Sequence, residues 1–417
     1  MRETFKQIII QRQDWLRKID VQARKVDLEA NANYVFTGLR RAGKTYYLYQ
    51  IIQSLVMKNN FDAILFINFE DERLIGMTHL HFNEILEAYK ELFDQQPIIF
   101  LDEVQNIEHW QKFARRLADE GYRVCVTGSN AEMLSSEIAT TLGGRYINKE
   151  ILPLSFSEYL SFQKLKFSAN ALYSEERFEL KKQYLEYLQY GGFPELLHLD
   201  NKRDFLSSVY QKLFYGDLIA RYKISNPNLL KFLIKKLAES VNNETSVNRI
   251  KNLIKSTGVS IGSNTLFDYL NHLEASFLIA PITNFYSKLV EKETNKKYYF
   301  LDTGILMLFL NEQDTKLLEN QIYIELRRRG YAPYFLKSKL EVDFYVPEDN
   351  LLIQVSYSTS DIETRKREVK ALDVAMKSLE IKESWIITMD EREIIETENG
   401  KIRVIPAFEW LRKEEGV

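Results

Sequence analysis

The sequence predicts a mixed α/β chain whose N-terminal third is built on a parallel sheet. Three observations carry this expectation. Residues 30–153 alternate short apolar runs, at 34–37, 63–68, 97–101, 123–127 and 146–152, with helical patterns, the order of repeated βα units. The octapeptide Gly38-Leu39-Arg40-Arg41-Ala42-Gly43-Lys44-Thr45 follows the first run directly and opens a helical pattern over 46–57. The third run ends in adjacent carboxylates, Asp102 and Glu103.

Composition sets the frame for these elements. At 417 residues the chain exceeds one ordinary core, so two to four domains are expected. A hydrophobic share of 45% with 28% charged residues is that of a soluble globular protein. Fifty-six basic residues against fifty-nine acidic ones leave no global bias, so a nucleic-acid surface would have to be a local patch. The lone cysteine, Cys125, lies in an apolar run and reads as a buried small hydrophobe. The first fifteen residues lack the apolar core of a signal peptide, and no uncharged stretch is long enough to span a bilayer. A cytoplasmic protein with no membrane partner is the expectation.

The octapeptide satisfies G-x-x-x-x-G-K-[ST] at every fixed position, between an expected strand and an expected helix. Gly38 and Gly43 permit backbone conformations barred to side chains, so successive N–H groups can curl around a phosphate. Leu39, Arg40, Arg41 and Ala42 complete that loop. Lys44 is expected to reach the β- and γ-phosphates of ATP, and Thr45 to hold Mg²⁺ through its hydroxyl. The helix N-terminus adds its positive dipole. Asp102, at the end of the third strand, is expected in the Mg²⁺ shell, and Glu103 as the general base toward water. The fourth strand ends Val126-Thr127-Gly128-Ser129-Asn130, where Ser129 or Asn130 can orient the water or bond the γ-phosphate. Arg145, after Gly143-Gly144, is a candidate arginine finger, which requires a ring or a dimer if it acts in trans.

GLRRAGKT, IIFLDE, VTGSN and LGGRYINKEILPLSFSEYL, in this order, resemble a large prokaryotic family of AAA-type ATPases. Its members join a nucleotide core to a C-terminal region long labelled as of unknown function. YGGFPE, KKYYFLDTG, EVDF and TRKREV extend the resemblance over nearly the whole chain. The resemblance implies an AAA-type P-loop core over 1–153 with Lys44, Thr45, Asp102 and Glu103 in its site, then a helical lid over 154–204.

Residues 205–312 read as a winged helix. An amphipathic segment at 246–254 is broken at 256–258, and a second helical pattern follows at 266–273. Extended runs at 279–286 and 297–301 come next, separated by a charged turn at 292–296. That order often places the second helix in the DNA major groove. Between residues 221 and 258, eight basic residues face two acidic ones, which suits phosphate contact.

Residues 313–417 resemble the PD-(D/E)XK nuclease fold, a restriction-endonuclease-like α/β domain. Glu319 lies on a helical pattern, Asp343 on a strand, and Gln354 and Ser356 stand where an active enzyme has an acid and a lysine. Lys337, Lys339 and Lys366 are the candidates for a displaced lysine; the simpler reading is a retained fold with cleavage lost. The whole therefore reads as an ATP-binding, Mg²⁺-dependent ATPase that couples hydrolysis to conformational change, with DNA as its object. A slow nucleotide-controlled switch acting on a protein partner and an ATP-dependent nuclease are the alternatives. A homo-oligomer is compatible with the first two.

Overall fold

The computed structural model describes all residues except 26–27, 30, 57–59, 132–139, 169–170, 257, 259–260, 311–313 and 414–417. The end of the helical pattern at 57, part of the break at 256–258 and the expected boundary at 312/313 lie outside the described residues. The chain forms two compact units, Met1–Leu152 and Pro153–Val417. The helical, helix–hairpin and C-terminal segments all fall within the second.

Apolar alternation builds the first unit. Strands β1 (Asn33–Thr37), β2 (Ile64–Asn68), β3 (Ile98–Asp102), β4 (Val124–Gly128) and β5 (Tyr146–Glu150) form one parallel sheet in the order β2-β3-β4-β1-β5. Side chains at alternate positions enter opposite faces. Val35, Leu65, Ile67, Ile99, Leu101, Val124 and Val126 pack in a core with residues of α1 (Arg2–Leu16), α3 (Phe82–Leu92) and α4 (Trp110–Asp119). Tyr34, Phe36, Ile64, Phe66, Phe100 and Cys125 pack in another core with α2 (Lys44–Leu55). Both faces of β1–β4 are covered, which is why those four strands read as continuous apolar runs. Cys125 is buried, and burial pushes its thiol up to about 12, so it is an inert core residue.

The order matters for the site. β4 lies between β1 and β3, so the carboxyl ends of three strands converge at one edge. In open α/β sheets that is where ligands bind.

The second unit begins with helices α5 (Phe156–Phe162), α6 (Glu176–Tyr190) and α7 (Lys202–Lys212), then α8 (Pro227–Glu239), α9 (Val247–Lys255) and α10 (Ser263–Ala275). A three-stranded sheet, in the order β6-β8-β7, joins Thr245–Ser246 (β6) to the antiparallel pair β7 (Ile279–Ile282) and β8 (Asn295–Phe300). The connection corrects the sequence reading. The extended run stops at Ile282 rather than 286, because the Asn284 side chain bonds the backbone of Lys337 and Tyr286. The charged stretch is a short helix, α11 (Leu289–Thr294), and not a simple turn.

YGGFPE and LDTG pack on each other. Asp302 caps α12 (Thr303–Met307) by accepting from Ile305 N at 3.0 Å, and it also accepts from Gly192 N at 2.9 Å. A Cβ on Gly304 would stand 2.1 Å from the Tyr190 carbonyl oxygen, so this approach is possible only for glycine. The chain ends in α13 (Asp314–Arg328) and a six-stranded mixed sheet. Its order is β13-β14-β12-β11-β10-β9, from β9 (Tyr334–Lys337), β10 (Glu341–Val346), β11 (Leu351–Val355), β12 (Glu383–Thr388), β13 (Glu393–Glu396) and β14 (Lys401–Pro406). Helix α14 (Ile362–Leu379) packs against this sheet through Ala371, Leu372, Ala375 and Met376.

Candidate nucleotide site

The loop from Gly38 to Thr45 has the backbone its glycines predict. Gly38 has φ +145°, and a Cβ there would stand 2.2 Å from the Ile151 carbonyl oxygen. Arg41 at φ 63° and Gly43 at φ 94° turn the chain through left-handed conformations, so its N–H groups can point inward. Gly43 then caps α2 without a side chain, which leaves the first-turn N–H groups of that helix open to an anion. Lys44 is only 4% exposed, and its ammonium donates to the carbonyls of Gly38 at 3.1 Å and Leu39 at 3.2 Å. Arg40 pairs with Glu70 at 2.7 Å.

The two carboxylates enter from β3 in different ways. Asp102 is fully buried; its Oδ2 accepts from Thr45 Oγ1 at 2.9 Å and its Oδ1 from Thr127 Oγ1. Burial and the neighbouring Glu103 push its carboxyl up to about 6. Glu103 has a left-handed φ of 54°, unusual for a glutamate, and its N–H donates to Thr127 Oγ1 at 3.0 Å. Burial works to raise its pKa, but Lys44, 3.9 Å away, and then Gln105 outweigh it and hold the carboxylate ionised. Thr45 and Asp102 thus offer hard oxygen donors side by side, a donor set that fits Mg²⁺. Thr37 Oγ1, at the end of β1, is buried without a hydrogen-bond partner among the described residues.

These contacts bring Gly38–Thr45, Asp102 and Glu103 to one edge of the sheet, with buried Ser129 and Asn130 at the end of β4. Arg145 is not brought there. It precedes β5, whose first residue pairs with Asn33, so it stands at the opposite edge of the sheet and pairs with Asp119. Sequence reasoning missed three residues. Thr127 fixes Asp102 and the Glu103 backbone together. Gln105 donates to Glu103, and to Ser129 Oγ at 3.2 Å. Arg24 donates to the carbonyls of Ala42 and Leu152, each at 3.0 Å. Thr127 could have been suspected from its place near the end of β4; Gln105, in the turn after β3, and Arg24 left no signal.

Three carboxylates of the C-terminal segment, Glu319, Glu341 and Asp343, surround a lysine that the sequence pattern does not announce. Lys297, on β8, is wholly buried, with its Nζ 2.8 Å from Glu341, 3.4 Å from Glu319 and 3.4 Å from Asp343. Burial opposes its charge, but the three carboxylates outweigh this and keep the ammonium protonated. Burial and then Glu319 raise the Asp343 carboxyl. Lys337 pairs with Glu244 and Glu341, and Lys366 with Glu363. Gln354 is also spoken for: its amide nitrogen donates to Glu368 and its oxygen accepts from Asp343 N. Among the described residues, no three His, Cys, Asp or Glu side chains are grouped so as to hold a metal ion.

In the helix–hairpin region the basic residues concentrate on α8, α9 and the turn before them. Lys223, Lys231, Lys235, Arg249 and Lys255 are exposed, whereas Arg221 pairs with Asp217 and Lys236 with Glu239. The second helix, α10, carries neither Lys nor Arg, and it exposes Asn264, Thr265, Asp268 and Asn271.

Residues 30–160 match the family model described as an AAA domain, and residues 181–316 match a domain of unknown function, DUF8612. Across 97% of its length the chain is 34% identical to the uncharacterized protein MJ1544 of Methanocaldococcus jannaschii, covering 94% of that protein. The chain belongs to the family of MJ1544. An uncharacterized protein of Haemophilus influenzae is 31% identical to it, over 97% of this chain and 98% of that protein. The N-terminal unit of this family member is an AAA-type P-loop domain. The chain is also similar to the Walker-type ATPase PABY2304 of Pyrococcus abyssi, at 14% identity over 74% of this chain and 95% of the other, with a TM-score of 0.45. No helix among the described residues is long and apolar enough to cross a membrane.

Proposed function

We propose that this protein is a Mg²⁺-dependent ATPase whose turnover drives a conformational change. The observation that carries the reading is the 2.9 Å bond between Thr45 and Asp102, which joins the loop that cradles phosphate to the strand that ends in Glu103. Mg²⁺ held by these two oxygens would neutralise charge on the β- and γ-phosphates. Lys44 adds a second positive charge from within the loop, and the open N–H groups of α2 add more. Glu103, kept ionised, takes the proton of the attacking water. Asn130, buried beside Ser129 at the end of β4, is within the same polar edge and orients that water. Arg145 reaches a phosphate only in a second copy of the chain, where it would act as an arginine finger. Steady-state ATPase assays on Lys44→Ala and Glu103→Gln test the site. The first should lose binding or hydrolysis, and the second should bind ATP and turn over poorly. Normal turnover in both would refute the assignment.

The object of that turnover is proposed to be duplex DNA, gripped through its phosphates by the exposed basic residues of α8 and α9. The uncharged and acidic surface of α10 favours backbone contact over base reading, and equally suits a protein partner of a nucleotide-controlled switch. Turnover measured with and without DNA separates these: a motor is stimulated by DNA, a switch is indifferent to it. The nuclease alternative is weakened by Lys297, whose ammonium lies among the carboxylates that a metal would need.

A further inference from the structure

Glu103 has a fixed backbone and a side chain suspended between two donors. Its N–H is tied to Thr127 and its φ is left-handed, so rotation about its own side-chain bonds is the freedom that remains. One carboxylate oxygen faces Lys44 at 3.9 Å; the other accepts from the Gln105 amide. Gln105 lies in the short turn Val104–Asn106 that follows directly. The orientation of its amide follows from its partners: turned over, its oxygen would face a carboxylate, a repulsive contact. Its amide nitrogen donates to Glu103 and to Ser129 Oγ, while its Oε1 is buried without a partner among the described residues.

The direction of the second bond has a consequence. Ser129 accepts from Gln105, so its own hydroxyl proton is held by the Glu103 carboxylate and can pass from it to an incoming acceptor. Ser129 is buried at the carboxyl end of β4, beside the edge where the phosphate loop opens. An oxygen-rich terminal phosphate is the chemical class that takes such a proton.

Resting on the ATPase reading above, we infer that Gln105 is the positioning residue of Glu103 and couples it to Ser129, so that Glu103 is aligned when Ser129 donates to the terminal phosphate. A nucleoside diphosphate, which lacks that phosphate, leaves Ser129 without this acceptor and Glu103 in its pairing with Lys44. The link accounts for a glutamine two residues after Glu103, in the turn that follows the carboxylate pair directly.

The test is a double-mutant cycle on the full chain, with ATPase kinetics and titration of a fluorescent ATP analogue. Gln105→Ala and Ser129→Ala should each lower kcat about 10- to 100-fold, with ATP affinity held within about twofold. The double variant should fall no further than the worse single one, because both changes cut one chain. Gln105→Glu, similar in shape but placing a second acid beside Glu103, should lose kcat in the same way and stands in if the alanine variant does not fold. Wild-type kcat in Gln105→Ala, losses that multiply in the double variant, or an effect confined to KM would overturn the inference. Glu103→Gln separates the two levels. If it is inactive while Gln105→Ala is normal, this inference alone fails. If the wild type does not hydrolyse ATP, or Glu103→Gln matches it, the ATPase reading fails and takes the inference with it.

Discussion

Lys297 Nζ stands 3.4 Å from Asp343 Oδ1, and both side chains are buried. Glu319 and Glu341 complete the surroundings, so one ammonium is shared by three carboxyl groups drawn from α13 and β10. Taking one partner from such a buried set leaves charge without compensation, at a cost of about 3–5 kcal/mol. Lys297→Met should lose stability on that scale in a urea melt. Melts that overlay the wild type would show the cluster to be idle. The same geometry predicts no Mg²⁺- or Mn²⁺-dependent cleavage of DNA by the purified protein. Cleavage that disappears in Asp343→Ala would reverse this.

Gly38→Ala tests the loop independently of chemistry. The added methyl meets the Ile151 carbonyl and the φ of +145° is one side chains rarely adopt, so strain of about 1–3 kcal/mol is expected. ATP binding should be lost together with thermal stability. A variant that binds ATP as the wild type does would mean the loop tolerates a different backbone.

Asp302 predicts a pH dependence of the second unit. Burial pushes its carboxyl up to about 6, above the 3.8 of an unstrained aspartate, with the backbone N–H groups of Gly192, Ile305 and Gly304 opposing the shift. A raised acid binds its proton more tightly folded than unfolded. Its contribution is therefore complete below about pH 4 and is lost as pH rises through about 6, by about 3 kcal/mol. In Asp302→Asn this slope should flatten between those values. Parallel pH profiles of denaturant melts for the two proteins would rule the assignment out.

The basic face makes a salt-dependent prediction. Lys231→Glu with Lys235→Glu should weaken duplex DNA binding for all sequences alike. The salt slope should become shallower by about one for each phosphate that is no longer neutralised. Changes at Asn264 and Asn271 on α10 should matter less. Absence of wild-type binding at low salt, with or without nucleotide, would leave a protein partner as the object of the ATPase.

The strands of the first unit were legible because both faces of the sheet are covered, and continuous apolar runs announce that. The phosphate loop and the Asp102–Glu103 pair were legible because their chemistry demands fixed spacing along the chain. Lys297 was not, since it opens the extended run at 297–301 and the carboxylates it meets lie on a helix and a strand further along the chain. Strand alternation held the clue: Lys297 and Tyr299 share a face of β8, and the Tyr299 hydroxyl bonds Glu319 at 2.7 Å. The role of Gln105 depends on Ser129, just past the end of another strand. Arg145 was visible as a motif, but which edge of the sheet it occupies follows only from the register of β5 on β1.

Arg24 has a consequence of its own. Its guanidinium spans the carbonyl of Ala42, inside the phosphate loop, and that of Leu152, where the chain leaves the first unit. Ile151 N, one residue earlier, donates to the Thr37 carbonyl at 2.7 Å, just before Gly38. The exit of the chain is thus fastened to the loop at both of its ends. A displacement of the loop that leaves these bonds intact therefore carries residues 151–152 along with it, as a hand on a bell-rope moves the rope.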